Sequence, residues 1–198
     1  MLVKKITAKI SALLSEIRFL IRNVRVAFSI SKIPERKVGS IRTFGLDGET
    51  YPQAKELYEK FNSSRRLGRS RRLLYHIFGS RLVVACKDQD GKLLGAAFYY
   101  FNERDVKDGT VHQSFSVVDS SARGKGVATE IRRSAKLHFS NNGFKGLSSR
   151  VSIENKASLS SNYKLGFVSR EIYTDPVTGL ARHYLVCEFD RQVRETDE

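Results

Sequence analysis

Apolar residues near the start of the chain recur at spacings of three and four: Val3, Ile6, Ile10, Leu13, Ile17, Leu20 and Val24. That period predicts one amphipathic helix, with Lys4, Lys5, Lys9, Arg18, Arg22 and Arg25 mostly turned away from its apolar face. Residues 31–40, SKIPERKVGS, mix charge with a proline and a glycine and read as a joint. Beyond it, 40–44 predicts a strand and 51–61 a helix, with Pro52 near the start, where a missing N–H costs little. An arginine-rich second helix ends near Gly79. Apolar strands are expected over 81–87 and 93–102, around the turn signal Asp88-Gln89-Asp90-Gly91. A strand over 110–118, a helix over 126–139, a strand over 146–153 and a short helix over 156–165 follow. Residues 168–174 and 182–190 close the chain as a hairpin around Asp175 to Gly179. The order describes an α/β (α+β) domain, a mixed sheet with helices packed on its faces. No internal repeat or low-complexity segment breaks it. Three units are expected: a basic helical extension and linker over 1–38, a domain over 39–190, and a charged tail over 191–198.

Composition narrows the class. The 198 residues carry 35 Lys+Arg against 21 Asp+Glu, a formal charge of +14. A hydrophobic content of 40% excludes global disorder. Two cysteines, Cys86 and Cys187, are too few for a disulfide scaffold or a zinc ribbon. No charge-free run approaches the roughly 18 residues of a bilayer-spanning helix. A cytoplasmic protein with an anionic partner is expected.

The charge is uneven. Residues 1–37 hold a basic cluster against only Glu16 and Glu35. A second cluster contains Arg65, Arg66, Arg69, Arg71, Arg72 and Arg81, with no acid between Glu59 and Asp88. For the first helix three readings stand: packing on its own domain or on a second copy, peripheral contact of residues 1–30 with anionic lipid, or an organelle presequence. The arginine block is either a solvated face or a surface for phosphate or carboxylate, which the guanidinium fork pairs in bidentate geometry. Nucleic acid is not favoured. Tyr75 and Phe78 are too few aromatics for base stacking, and no helix-turn-helix, zinc-finger or RNP pattern is present.

The stretch Phe115-Ser116-Val117-Val118-Asp119-Ser120-Ser121-Ala122-Arg123-Gly124-Lys125-Gly126-Val127-Ala128 carries the candidate chemistry, running from a strand into a helix. Gly124, Gly126 and Ala128 strip side chains from one turn, so backbone N–H groups can approach a ligand closely. The following helix aims its positive N-terminus at the same place, and Arg123 and Lys125 add cations. Together they describe a pyrophosphate cradle. The run is neither GxxxxGK[ST] nor GxGxxG.

It resembles the acetyl-CoA loop of the GNAT superfamily of N-acetyltransferases, (Gln/Arg)-x-x-Gly-x-(Gly/Ala), matched by Arg123, Gly126 and Ala128. Downstream, Asn155, Ala157 and Ser158 with Leu165-Gly166-Phe167 resemble the family's Asn-x-x-(Ala/Ser)…Leu-Gly-Phe segment. The resemblance spans roughly 40–190. It implies a GNAT-like, largely antiparallel sheet of about six to seven strands flanked by helices, and transfer from acetyl-CoA to a primary amine by direct attack in a ternary complex. It also implies residue roles. Backbone groups of Arg123, Gly124, Lys125, Gly126, Val127, Ala128 and Thr129 hold the CoA pyrophosphate. Ser116, Val117 and Val118 pair with pantetheine beside a bulge that frees an N–H for the thioester carbonyl, and Asn155 contacts the pantetheine arm. Arg132, Arg133 and Lys136 are candidates for the nucleotide phosphate or for a solvated face. No metal is implied.

Two departures bear on catalysis. Many relatives place a tyrosine four residues before the final glycine as a proton donor to the thiolate; here that slot is Asn162, and the tyrosine is Tyr163. One residue turns a helical side chain by about 100°, so Tyr163 is either a displaced candidate for that acid or a core residue. Relatives often carry a glutamate base on the fourth strand, but 110–118 has no acid, which leaves His112 as the substitute and His183 and Glu171 as weaker candidates. Cys86 and Cys187 read as buried core thiols. The arginine block points to an anionic acceptor such as a nucleotide-linked amino sugar. The alternatives are a protein N-terminus or lysine, or a non-catalytic domain holding CoA or a lipid headgroup. A homodimer is also open.

Overall fold

The computed structural model of the chain describes residues 2–61, 67–176 and 178–189. Arg65, Arg66 and the 191–198 tail therefore lie outside the described residues. Helix α1 (Leu2–Ser29) leads into strands β1 (Arg36–Val38) and β2 (Ile41–Gly45), then helices α2 (Tyr51–Phe61) and α3 (Arg69–Leu82). Strands β3 (Val83–Asp88) and β4 (Leu93–Tyr100), helix α4 (Glu103–Asp108) and strand β5 (Thr110–Val118) follow. Helix α5 (Val127–Asn141), strand β6 (Gly146–Ser152), helix α6 (Lys156–Lys164) and the hairpin β7 (Val168–Thr174) and β8 (Ala181–Glu188) complete it. Among the described residues the sheet has eight strands in the order β1-β2-β3-β4-β5-β6-β8-β7, antiparallel except for the β5–β6 pair.

The pattern of alternating periods therefore predicts the architecture, with two additions. Strand β1 forms within the expected joint by pairing Arg36 with Thr43 and Val38 with Ile41. Helix α4 occupies the connection between two predicted strands, where no hydrophobic period marks it. A capping box starts it instead: the Asn102 side chain accepts from the Asp105 N–H while Asp105 accepts from that of Asn102.

The core lies against both faces of the sheet. Phe98, Tyr100 and Ala96 of β4 meet the α2 and α3 side, with Tyr58 and Tyr75 edge-on to Phe98. Tyr99 meets α5, edge-on to Phe139 at 4.9 Å between ring centroids.

Helix α1 behaves differently from a helix that buries its whole apolar face. Its C-terminal half enters the core: Ala27 and, just past the helix, Ile30 are buried, and Asn23 accepts from the Phe101 N–H at 2.7 Å and donates to the Phe101 carbonyl at 3.0 Å. Arg81 of α3 hydrogen-bonds the Ala27 and Ile30 carbonyls at the end of α1. Of the predicted stripe, Leu20 and Val24 pack against the core, while Ile6, Ile10, Leu13 and Ile17, with Ile21 beside them, stay exposed. Among the described residues no helix is long and apolar enough to cross a membrane.

Candidate active site

Strands β5 and β6 share only three rungs, Thr110↔Gly146, Val111↔Leu147 and His112↔Ser148. Past them, β5 stays with β4 while β6 follows β8 as far as Ser152↔Arg182, so the two strands part. At the parting point Tyr99 pairs with Gln113 and Phe98 with Phe115, which leaves Ser114 as an extra, bulged residue. The expected bulge thus exists, but it precedes 116–118, because the register slips where β5 leaves β6. A cleft of about 450 Å³ opens here, with Ser116, Val118 and Arg150 among its lining. Val117 is buried and does not line it.

The outer end of β5 runs through a short turn (Ser120–Ala122) to the start of α5. The Asp119 carboxylate shapes that turn by accepting from the Ser121 N–H and hydroxyl. Gly124 and Gly126 take left-handed φ angles of 77° and 78°. A Cβ at either would meet nothing within 4 Å, so backbone conformation rather than crowding calls for glycine. No side chain caps α5, and its first in-helix bond runs from Glu130 to Gly126. The N–H groups of Val127, Ala128 and Thr129 consequently have no helical acceptor. Arg123 and Lys125 are exposed beside them, Arg123 lying 5.5 Å from the Phe61 ring.

Three buried polar atoms of cleft-lining residues lack a protein partner: the Tyr99 hydroxyl, Arg132 Nε and Asn162 Oδ1. Each unsatisfied buried group costs about 1–3 kcal/mol, so the cleft suits a polar occupant. Arg132 is held by Nη1 donating to the Leu165 carbonyl at 3.2 Å and by its guanidinium 4.9 Å from the Phe167 ring. It is buried, whereas Arg133 is exposed beside Glu130. Asn155 lines the cleft while its Oδ1 accepts from the Ser158 N–H at 3.0 Å, capping α6. Sequence reasoning passed over Tyr99 and Ser114, and named Asn162 only as the occupant of the tyrosine's slot. The signal for Asn162 was its place four residues before Gly166; nothing in sequence marked the other two.

The structure separates the titratable candidates from this cleft. His112 is buried, 4.7 Å from the Tyr100 ring between centroids, with Nδ1 2.9 Å from Ser148 Oγ. Burial first, then the charges of Arg150 and Arg71, push its imidazole down to about 3. It does not line the cleft. Tyr163 projects outward, 45% exposed, because the turn of α6 that brings Asn162 inward points its neighbour to solvent. Glu171 is engaged by Arg104 at 2.6 Å, and His183 Nδ1 lies 2.8 Å from Ser169 Oγ, both on the terminal hairpin. Cys86 and Cys187 are buried, and burial pushes the Cys86 thiol up to about 11. Among the described residues no Asp, Glu or His lines the cleft.

Two arginines lie around it, one on its lining and one across β4 against Tyr100. The half-buried Arg71 guanidinium lies 4.9 Å from the Tyr100 ring and 5.7 Å from that of Phe19. Arg150 is exposed on the cleft lining. Neither forms an ion pair among the described residues.

A sheet parted beside a bulge, with a glycine turn and an uncapped helix at the outer end of the strand, defines the acetyltransferase class of mixed α/β domains. Residues 51–167 match the model of the acetyltransferase (GNAT) family, and the chain belongs to that family. Similar solved structures include an N-acetyltransferase from Staphylococcus aureus Mu50, 17% identical, with a TM-score of 0.61 over 77% of this chain and 100% of that one. The NatC complex bound to Gag peptide and CoA gives 17% identity and a TM-score of 0.62 over 76% and 99%. Arabidopsis thaliana Naa50, in complex with a CoA-based bisubstrate analogue, gives 14% and 0.59 over 74% and 97%. At these identities the likeness is one of fold. No curated protein matches the chain.

Proposed function

We propose that the protein transfers an acetyl group from acetyl-CoA directly to a primary amine in a ternary complex, and that the amine's carrier is anionic. The observation that carries this reading is the parting of β5 from β6 beside the Ser114 bulge, on a strand that ends at the uncapped start of α5. The unpaired N–H groups there suit a pyrophosphate, with Arg123 and Lys125 as added cations. Ser116 and Val118 offer an unpaired strand edge to pantetheine, and Asn155, Arg132 and Asn162 offer polar contacts along its course. The bulge frees a backbone donor for the thioester carbonyl, whose oxygen gains charge as the amine adds.

With no acid or histidine among the described residues of the cleft lining, the amine enters neutral, and its proton leaves to solvent through the open cleft. His112, joined to Ser148, pins the last rung before the strands part, and the leaving thiolate needs no proton from Tyr163. Arg71 and Arg150 bind the acceptor's phosphate or carboxylate. Peptide and protein amines fit this arrangement less well unless an acidic group lies beside the reacting nitrogen.

The same missing base favours a second reading, a domain that holds CoA without turning it over. One assay separates them: thiol release from acetyl-CoA over a panel of neutral, cationic and anionic amines. The expected result is saturable release with phosphate- or carboxylate-bearing amines preferred. Tight CoA binding without release for any amine would select the binding-only reading.

A further inference from the structure

Helix α1 carries more apolar surface than the fold covers: of its periodic face, Leu20 and Val24 pack against the core. Phe19, Ala27 and Ile30 turn toward the domain, while Ile6, Ile10, Leu13, Ile17, Ile21 and Phe28 remain exposed, Ile21 at 62% and Phe28 at 69%. The exposed set keeps to one stripe of the helix, roughly 33 Å long from first to last. Leu73 and Ile77 of α3 are exposed as well. Two contacts between the helices, Glu16 with Ser70 and Phe28 with Phe78, bracket them and place them alongside the stripe.

The borders of the stripe are cationic. At about 100° per residue, Lys9 falls along one edge and Arg18 and Arg25 along the other. All three are exposed, and none is ion-paired among the described residues. The helix's one acid, Glu16, is hydrogen-bonded to Ser70.

We propose that this stripe is a docking surface for an anionic lipid bilayer, with α1 lying in the interface plane and its apolar side chains in the acyl boundary. Charge decides against a second copy as occupant. A copy of the same helix presents the same borders, with Lys9, Arg18 and Arg25 again unpaired among the described residues and only Glu16, already bonded to Ser70, to set against them. Anionic headgroups neutralise both edges at once. Because Arg81 and Ser70 tie α3 to α1, the bound helix holds the whole domain at the surface.

The chain has no tryptophan, so Ile17→Trp in the full-length protein gives a single reporter within the stripe. It is titrated with vesicles of phosphatidylcholine, with and without phosphatidylserine. The proposal expects a blue shift and co-sedimentation with the anionic vesicles, about tenfold or more tighter than with neutral ones and weakened by salt. The combined Lys9→Gln, Arg18→Gln and Arg25→Gln variant should bind about a hundredfold more weakly. Ile10→Asp with Leu13→Asp should abolish binding while leaving the thermal melt unchanged, since both side chains are exposed. No binding at low salt, or equal binding to neutral vesicles, would overturn the proposal. So would a lipid-free dimer that dissociates in the Ile10→Asp and Leu13→Asp variant, which would assign the stripe to a second copy.

Discussion

His112 and Ser148 form the last rung that β5 shares with β6, and their side chains are joined as well, Nδ1 to Oγ at 2.9 Å. Ser148 donates onward to Asp105, which also receives the Thr110 hydroxyl at 2.8 Å. This buried chain pins the last shared rung, from which the two strands part. Ser148→Ala would leave the His112 nitrogen unpaired and remove one donor from Asp105. The expected destabilisation is about 2 kcal/mol, read by urea unfolding.

The same burial makes stability depend on pH. Burial holds His112 down at about 3 and His138 at about 4, both from an ordinary value of 6.5. The unfolded chain therefore binds protons that the fold refuses, so stability is full above 6.5 and falls as the pH drops below it. Two such groups imply a loss of about 3–4 kcal/mol between about pH 7.5 and pH 5. Asp105 runs the other way: burial raises it, so it favours the fold at the acid end and trims the slope. His112→Gln should reduce the slope by close to one proton in urea unfolding across that range.

Gly126→Ala forces a Cβ into a φ of 78°, which costs about 1–2 kcal/mol of stability or shifts the loop. Gly126→Glu also puts a carboxylate where the α5 N–H groups converge. Calorimetric titration should show CoA affinity reduced several-fold by the first variant and lost with the second, while the far-ultraviolet dichroism of both stays native.

Arg71→Gln and Arg150→Gln should each raise KM for an anionic acceptor by roughly 10- to 100-fold, the worth of one charge-assisted contact. Acetyl-CoA affinity should change little. A neutral acceptor analogue should lose far less, and added salt should narrow the difference.

Without a cleft base, the pH at which kcat/KM levels off should follow the acceptor's own pKa, moving when one amine replaces another. An inflection that stays fixed from one amine to the next and disappears in His112→Gln would restore the imidazole as base. Tyr163→Phe should leave kcat within about twofold, since a side chain 45% exposed outside the cleft touches no reacting atom.

The glycine turn and the two-segment resemblance were legible because they depend on local spacing: Gly124 and Gly126 must be read in a strand-to-helix turn, and they are. The buried strand Leu93–Tyr100 and the period of α5 were equally plain. Side-chain direction was not. Whether His112 opens into the cleft depends on where β5 leaves β6, and the Ser114 bulge reverses the facing of every residue after it. The Tyr163 displacement was visible, but only the packing of α6 shows that Asn162 took the inward place. For α1, periodicity revealed an apolar face and could not say that Asn23, a polar residue, would anchor the helix.

The central claim is tested most directly by initial rates of thiol release with acetyl-CoA and a phosphate-bearing primary amine varied together, using the full chain. Direct transfer in a ternary complex predicts intersecting double-reciprocal lines and acetylated amine equal to thiol released. Thiol release that does not rise with amine, or none at all while CoA binds, would contradict it.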